Sequence, residues 1–323
     1  AQVAACEKGR EELLTMVHRY GLGTVSAYMN HVQDNAEESV RRSIQALHDG
    51  AFEVRMDSGA RICVKVVVDH CARSATVDFT GTSAEQGDNF NAPPAIVHAA
   101  VLYVFRTLVN DDIPMNAGCL RPITLIIPEG SLLSPRPPAA TVAGNVETSQ
   151  AVSNALYGAL GILAAAQGTM NNFTFGNERY QYYETIAGGS GAGEGFDGTA
   201  AVQTHMTNSR MTDPEIIELR FPVLVEEHSI RLGSGGKGRF RGGDGTLRRI
   251  RFLEPMTAAI LAGNRLVPPH GLMGGGDGEV GTTWVERSDG ARQVLAYSEQ
   301  TEMQPGDVFV VSTPSGGGYG VLD

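Results

Sequence analysis

The side chains with chemical capacity gather in two stretches. One is Gly144-Asn145-Val146-Glu147-Thr148-Ser149-Gln150; the other spans residues 168–208 and reads GTMNNFTFGNERYQYYETIAGGSGAGEGFDGTAAVQTHMTN. The second holds the paired amides Asn171 and Asn172, paired tyrosines beside Glu184, and His205 among hydroxyl and amide residues up to Asn208. Such a stretch offers donors, acceptors and permissive backbone, which a polar small-molecule site requires and a core strand avoids.

Each candidate has a plainer reading beside the chemical one. Glu147 can be a first-turn carboxylate that complements a helix dipole. Alternatively, with the backbone N–H groups of 144–148, it forms an anion or carbonyl-oxygen site at a helix N-terminus. His205 reads equally as a structural hydrogen-bonding residue and as a catalytic one. Asp213-Pro214 is a helix start, with proline at the first helical position. Arg239 and Arg241 could hold a carboxylate or phosphate, but fit a charged hairpin tip better.

The glycine motifs are weak. Gly193-x-Gly195-x-x-Gly198 and Gly233-x-Gly235-x-x-Gly238 match the letters of a dinucleotide fingerprint. The segments that follow, 199–205 and 239–250, read as extended rather than helical, so no such site is expected. GSGGKGRF is not a P-loop, because Arg231 stands at the first glycine position and Gly238 follows Lys237. No G-x-S-x-G, H-E-x-x-H or EF-hand loop occurs.

These residues must be positioned by a mixed set of elements. The first residues follow a helical pattern, with Leu13, Leu14 and Val17 on one face and Gly21 as C-cap. A second helix starts at Thr24 as N-cap and ends before Asp49-Gly50, giving a helical hairpin that needs a partner surface. Strands are expected at 61–69, 75–79 and 123–127, and helices at 95–109 and 147–166. Beyond residue 215, short strands at 223–232, 247–253, 258–261, 282–286 and 308–312 alternate with glycine clusters. The chain has forty glycines, concentrated at 188–198, 233–245, 271–278 and 316–320, and these read as tight turns. The fold class is α+β: a helical hairpin and mixed α/β core over 1–214, then a β-rich, glycine-turn domain over 215–323.

Composition narrows the function classes. The chain has 323 residues, 42% of them hydrophobic, and a net charge of −11. It can build a sizeable core, but has no basic surplus for nucleic acid or an anionic membrane. Cys6, Cys63, Cys71 and Cys119 form no C-x-x-C pair and no disulfide framework, which fits a reducing cytoplasm. No apolar run is long enough to span a membrane, and no signal peptide opens the chain, so a cytoplasmic location is expected.

Several blocks in order carry a resemblance: DFTGTS (78–83), NAP (91–93), DIPMNAGCLRPI (112–123), PEGSLLSPRPPAA (128–140), GNVETSQ (144–150), QGTMNN (167–172), YYETIAGGSGAG (182–193), THMTNSRMTDPEIIE (204–218), GSGGKGRFRGGDG (233–245) and PGDVFVVSTPSGGGYG (305–320). They cover nearly the whole chain, which resembles the hydantoinase B / 5-oxoprolinase family. Within it, the blocks are most like the C-terminal, B-type part of ATP-dependent 5-oxoprolinase.

The resemblance implies a hydrolase of cyclic amides that opens 5-oxo-L-proline to L-glutamate, or a related hydantoin or lactam. Phosphorylation turns the oxygen of an unreactive lactam into a leaving group, so that water can attack the carbon. ATP with magnesium would be bound by an A-type half, on a separate chain or fused. The blocks that carry the family's divalent-metal ligands are absent, so no metal is expected here. The chain is then a C-terminal fragment, inactive alone, partnered by the A-type half and the N-terminal part of the B-type region in a homo- or hetero-oligomer. Glu147 and His205 become the candidates for proton handling, since carboxylate and imidazole can both shuttle protons. Asn145, Asn171, Asn172, Glu184 and Asn208 would line or support the lactam cavity. Alternatives are a subunit of the acetone-carboxylase type and a non-catalytic assembly module.

Overall fold

The computed structural model describes residues 1–322. Among the described residues, five α-helices and thirteen strands, arranged in three antiparallel-rich sheets, make a mixed α and β fold, as the sequence implied. The chain divides into two compact units: 1–47, 68–75 and 105–124 form the first, and 48–67, 76–104 and 125 onward form the second.

In the first unit, α1 (Gln2–Tyr20) buries no residue, and α2 (Leu22–Ile44) buries Ala36, Ser39, Val40 and Ile44 near its C-terminal end. The α2 start lies before Thr24: Gly21, with φ 83°, both ends α1 and caps α2. A short 3-10 turn, Ala117–Leu120, packs so closely on α2 that a Cβ on Gly118 would sit 2.0 Å from the Gln33 carbonyl. Arg121 fastens the same contact through Asp34 and Gln33.

Four strands pair in the order β1 (Gly50–Arg55), β2 (Arg61–Asp69), β3 (Ser74–Asp78) and β4 (Ile123–Ile126). Helix α3 follows at Pro94–Thr107. In the second unit α4 (Ser149–Leu160) lies against β1, with Phe52 packed on Gly158. The helix expected to reach residue 166 ends at Leu160, because Gly161 turns left-handed at φ 71°. The backbone of 164–167 pairs instead with Ala192, His270 and Gly189.

The remaining strands form two sheets. One joins β5 (Asn172–Gly176), β6 (Gln181–Thr185), β9 (Met256–Leu261) and β12 (Ser298–Met303) in the order β12-β9-β5-β6. The other joins β7 (Val223–Ile230), β8 (Thr246–Phe252), β10 (Thr282–Glu286), β11 (Arg292–Leu295) and β13 (Val308–Ser312) in the order β11-β10-β13-β8-β7. Their facing sides share one core built on Phe173, Phe175, Ile250, Phe252, Ile260 and Phe309, with Phe173 stacked on Phe309 at 4.6 Å. Two expectations change here. The polar stretch 168–208 contributes two core strands, since alternation turns Phe173 and Phe175 inward while Thr174 faces out. The boundary expected at 214/215 is crossed by the pairing of β5 with β9. Helix α5 (Pro214–Arg220) starts as foreseen, with the Asp213 side chain accepting the Glu215 N–H.

Many of the glycines do not make turns. Segments around 164–167, 189–192, 236–243, 270–276 and 316–320 lie backbone on backbone and exchange N–H···O bonds. A Cβ on Gly189 would stand 1.8 Å from the Gly243 carbonyl oxygen, and one on Gly316 would stand 1.8 Å from that of Ser190. Only glycine permits such an approach, so the clusters are a packing layer. That layer also sets one wall of the site: the Ala165 N–H donates to the His270 carbonyl, and the Gly317 N–H to the Ala165 carbonyl.

Candidate active site

Glu147 sits in a single π-helical turn, Gly144–Thr148, that leads into α4. The loop carrying Asn91 presses on this turn, and a Cβ on Gly144 would meet the Asn91 carbonyl at 2.3 Å. Thr148 ties the turn to the same loop by donating its hydroxyl to the Phe90 carbonyl. The wider helical turn aims Glu147 inward, where it is 2% exposed.

The two carboxyl oxygens of Glu147 differ. Oε1 accepts from Asn172 Nδ2 at 2.7 Å, Thr169 Oγ1 at 2.9 Å and the Met170 N–H at 3.2 Å. Oε2 is buried with no hydrogen-bond partner, beside Gly263, whose Cβ would lie 3.2 Å away. Burial raises the carboxyl to about 8, against the pull of its hydrogen bonds and of Arg265. With Oε1 saturated by donors, the proton of the neutral acid belongs on Oε2.

Behind this carboxyl, Arg265 donates to Asn171 Oδ1 at 2.9 Å and to the Gly263 carbonyl at 3.0 Å. Burial lowers the guanidinium to about 10, with Glu147 and Asp57 opposing, so it stays cationic at neutral pH. Asn171 adopts φ 46° and reaches Gln167 Oε1 and the Ile186 carbonyl, both at 2.9 Å. Asp57 accepts the N–H groups of Arg265, Leu266 and Val267 and pins the loop that runs on to His270.

Glu147 opens onto a cavity of about 290 Å³, lined also by Phe52, Arg55, Phe90, Asn154, His270 and Tyr297. The size suits a small ring rather than a nucleotide. Asn154 connects the cavity to His205: its Oδ1 accepts the Ala166 N–H at 3.1 Å and His205 Nε2 at 3.0 Å. His205 Nε2 therefore carries a proton, and Nδ1 faces the Tyr103 hydroxyl at 3.4 Å. Burial lowers this imidazole to about 4, so it is neutral at physiological pH.

Of the residues singled out in the sequence, Glu147 and Asn172 are bonded to each other, Asn171 joins through Thr169, whose hydroxyl accepts its N–H and donates to Glu147, and His205 joins through Asn154. Glu184 does not: it forms a buried ion pair with Arg248 at 2.7 Å and accepts the Tyr182 hydroxyl. Asn145 and Asn208 are exposed. Arg241, one of the hairpin arginines, lies 3.8 Å from Asp244. Sequence reasoning missed Asp57, Arg265 and His270. Nothing local marks the first two, and His270 is one of eight histidines in the chain.

The family model described as hydantoinase B/oxoprolinase matches residues 1–322. The chain belongs to the hydantoinase B/oxoprolinase family. Among its relatives is 5-oxoprolinase 1 of Arabidopsis thaliana, 44% identical over 99% of this chain and 26% of that protein. The chain thus spans about a quarter of the length of the 5-oxoprolinases it matches. The fold is that of the ATP-dependent caprolactamase from Pseudomonas jessenii (TM-score 0.82, 23% identity, 99% of this chain and 60% of that one). It is also that of acetone carboxylase in its nucleotide-free structure (TM-score 0.85, 16% identity, 98% and 51%).

Neither glycine motif opens a helix, because loops follow both, and β8 is the next element after the second. Among the described residues, no three His, Cys, Asp or Glu side chains are grouped to hold a metal. No described helix is long and apolar enough to cross a membrane.

Proposed function

We propose that the chain is the B-type part of a cyclic-amide hydrolase that opens 5-oxo-L-proline to L-glutamate in a cytoplasmic, ATP-dependent assembly. Activation of the lactam oxygen by phosphoryl transfer falls to an A-type half, and any divalent metal to the N-terminal part of the B-type region. The observation that carries this reading is the asymmetric carboxyl of Glu147. One oxygen is fixed by three donors, and the other is buried, unpaired and next to a ring-sized cavity.

Opening a lactam adds water to the carbonyl carbon and breaks the C–N bond. The water must lose a proton and the ring nitrogen must gain one. A single carboxyl held near 8 is available in both protonation states around neutral pH, so Glu147 Oε2 can give its proton to the leaving nitrogen and regain one from the attacking water. Asn172 and Thr169 hold the carboxyl still, and Arg265 stabilises its anionic form. Asn171 positions Arg265, and His205 positions Asn154.

The test is turnover by the full-length protein with its A-type half. ATP-dependent release of glutamate from 5-oxoproline, without turnover of acetone, is expected. Acetone carboxylation without lactam opening would replace this reading with the carboxylase type.

A further inference from the structure

The polar atoms lining the cavity are mostly committed to the protein. Both Asp57 oxygens take backbone N–H groups, Asp277 Oδ1 takes that of Gly271, Arg55 pairs with Glu53 at 3.1 Å, and Asn154 serves Ala166 and His205. On the lining residues, two buried polar atoms have no partner: Glu147 Oε2 and His270 Nε2. Leaving one buried polar group unpaired is costly, and two on the wall of one cavity point to a ligand that pairs with both.

We propose that His270 is a substrate-binding residue whose Nε2 accepts the ring N–H of a small cyclic amide, while Glu147 Oε2 faces the carbonyl on the same edge of the ring. This rests on the cyclic-amide reading above and adds the group that reads the N–H.

The chemistry of the pair is complementary to a neutral cis-amide. A lactam presents one acceptor and one donor side by side. Glu147, protonated on Oε2, offers a donor. Burial holds His270 down to about 4, so its imidazole is neutral, and with the proton on Nδ1 its Nε2 is an acceptor. The ring is fixed by packing: Phe52 lies against His270 with centroids 4.5 Å apart, and Phe90 packs edge-on against Tyr297 at 5.9 Å. These faces suit the methylenes of a lactam. The His270 backbone is set by the glycine layer through its carbonyl bond to Ala165 and by the loop that Asp57 pins.

The experiment compares 5-oxoproline with N-methyl-5-oxoproline, which lacks the donor, on the full-length protein with its A-type half. Wild type should favour the N–H substrate by roughly 10- to 100-fold in kcat/KM, the effect of one buried unpaired group. His270→Phe, which keeps an aromatic ring against Phe52, should raise KM for 5-oxoproline by a similar factor and abolish most of that preference. His270→Gln, which retains an acceptor, should restore part of it. A merely structural histidine would shift both substrates together and leave the preference intact, which overturns the proposal. Equal use of the two substrates by wild type overturns it without any variant. Lactam turnover in those cases would leave the hydrolase reading standing, whereas no turnover of any lactam would remove both.

Discussion

Asn172 Nδ2 donates to Glu147 Oε1 at 2.7 Å from the first residue of a core strand. The same amide donates to the Leu261 carbonyl at 2.8 Å, and its Oδ1 accepts the Tyr183 hydroxyl at 2.8 Å. The carboxyl is thereby locked to the β5–β9 pairing, and the rigidity of the sheet is passed to one oxygen of the candidate acid.

Stability should depend on pH in a way set by Glu147 and two histidines. The folded carboxyl is raised from 4.5 to about 8, so between these values the unfolded chain has lost a proton that the folded one keeps. Stability from this group therefore falls as pH rises through that window and levels off above it. His205 and His270 are lowered from 6.5 to about 4, so their contribution falls as pH drops from 6.5 towards 4. Glu147→Gln should remove the alkaline decline. Melting curves should show the Tm of the variant gaining on wild type between about pH 5 and 8. A constant difference across that range would contradict the assignment.

Glu184 should matter for folding rather than for substrate. Its ion pair with Arg248 leaves both side chains 1% exposed. Replacing Glu184 by Gln strands a buried guanidinium and should cost about 3–5 kcal/mol. Urea unfolding should show that loss, while KM of the folded enzyme stays near wild type. A raised KM with unchanged stability would restore Glu184 to the substrate site.

His205 reaches the cavity only through Asn154, whose Oδ1 lies 3.0 Å from its Nε2. His205→Ala should lower kcat about tenfold, the scale of a lost positioning bond, without moving the pH profile. His205→Gln, able to donate to Asn154 Oδ1, should recover most of the loss. A shifted pH limb would instead identify His205 as a proton carrier.

The glycine layer predicts intolerance to a single methyl. Gly316→Ala places a Cβ 1.8 Å from the Ser190 carbonyl oxygen and 2.9 Å from the Gly191 nitrogen, both backbone atoms. Such overpacking costs about 1–3 kcal/mol or more. Thermal unfolding should fall by at least about 2–4 °C; an unchanged Tm would show that the layer relaxes freely.

The sequence was most legible where periodicity or local chemistry decides structure. The alternation of Ile62, Val64 and Val66 defined β2, and Asp213-Pro214 defined the start of α5. It was least legible where tertiary contact decides. Apolar residues 161–166 read as helix, yet Gly161 ends α4 and their backbone pairs with glycine segments distant in sequence. Glycine counts suggested turns, but close packing of chains leaves no periodic trace. In the site, the block GNVETSQ drew attention to Glu147. Arg265 and His270 reach the cavity region from a loop more than a hundred residues away, held by Asp57, so no local pattern linked them to it.

The central claim is that Glu147 handles the proton in ring opening. The most direct measurement is ATP-dependent glutamate release from 5-oxoproline by Glu147→Gln in the full-length enzyme, with melting curves confirming the fold. The amide keeps an acceptor for the Asn172 and Thr169 bonds but cannot take a proton. The account predicts a fall in kcat of at least about 100-fold. A folded variant with a near-wild-type rate would contradict it.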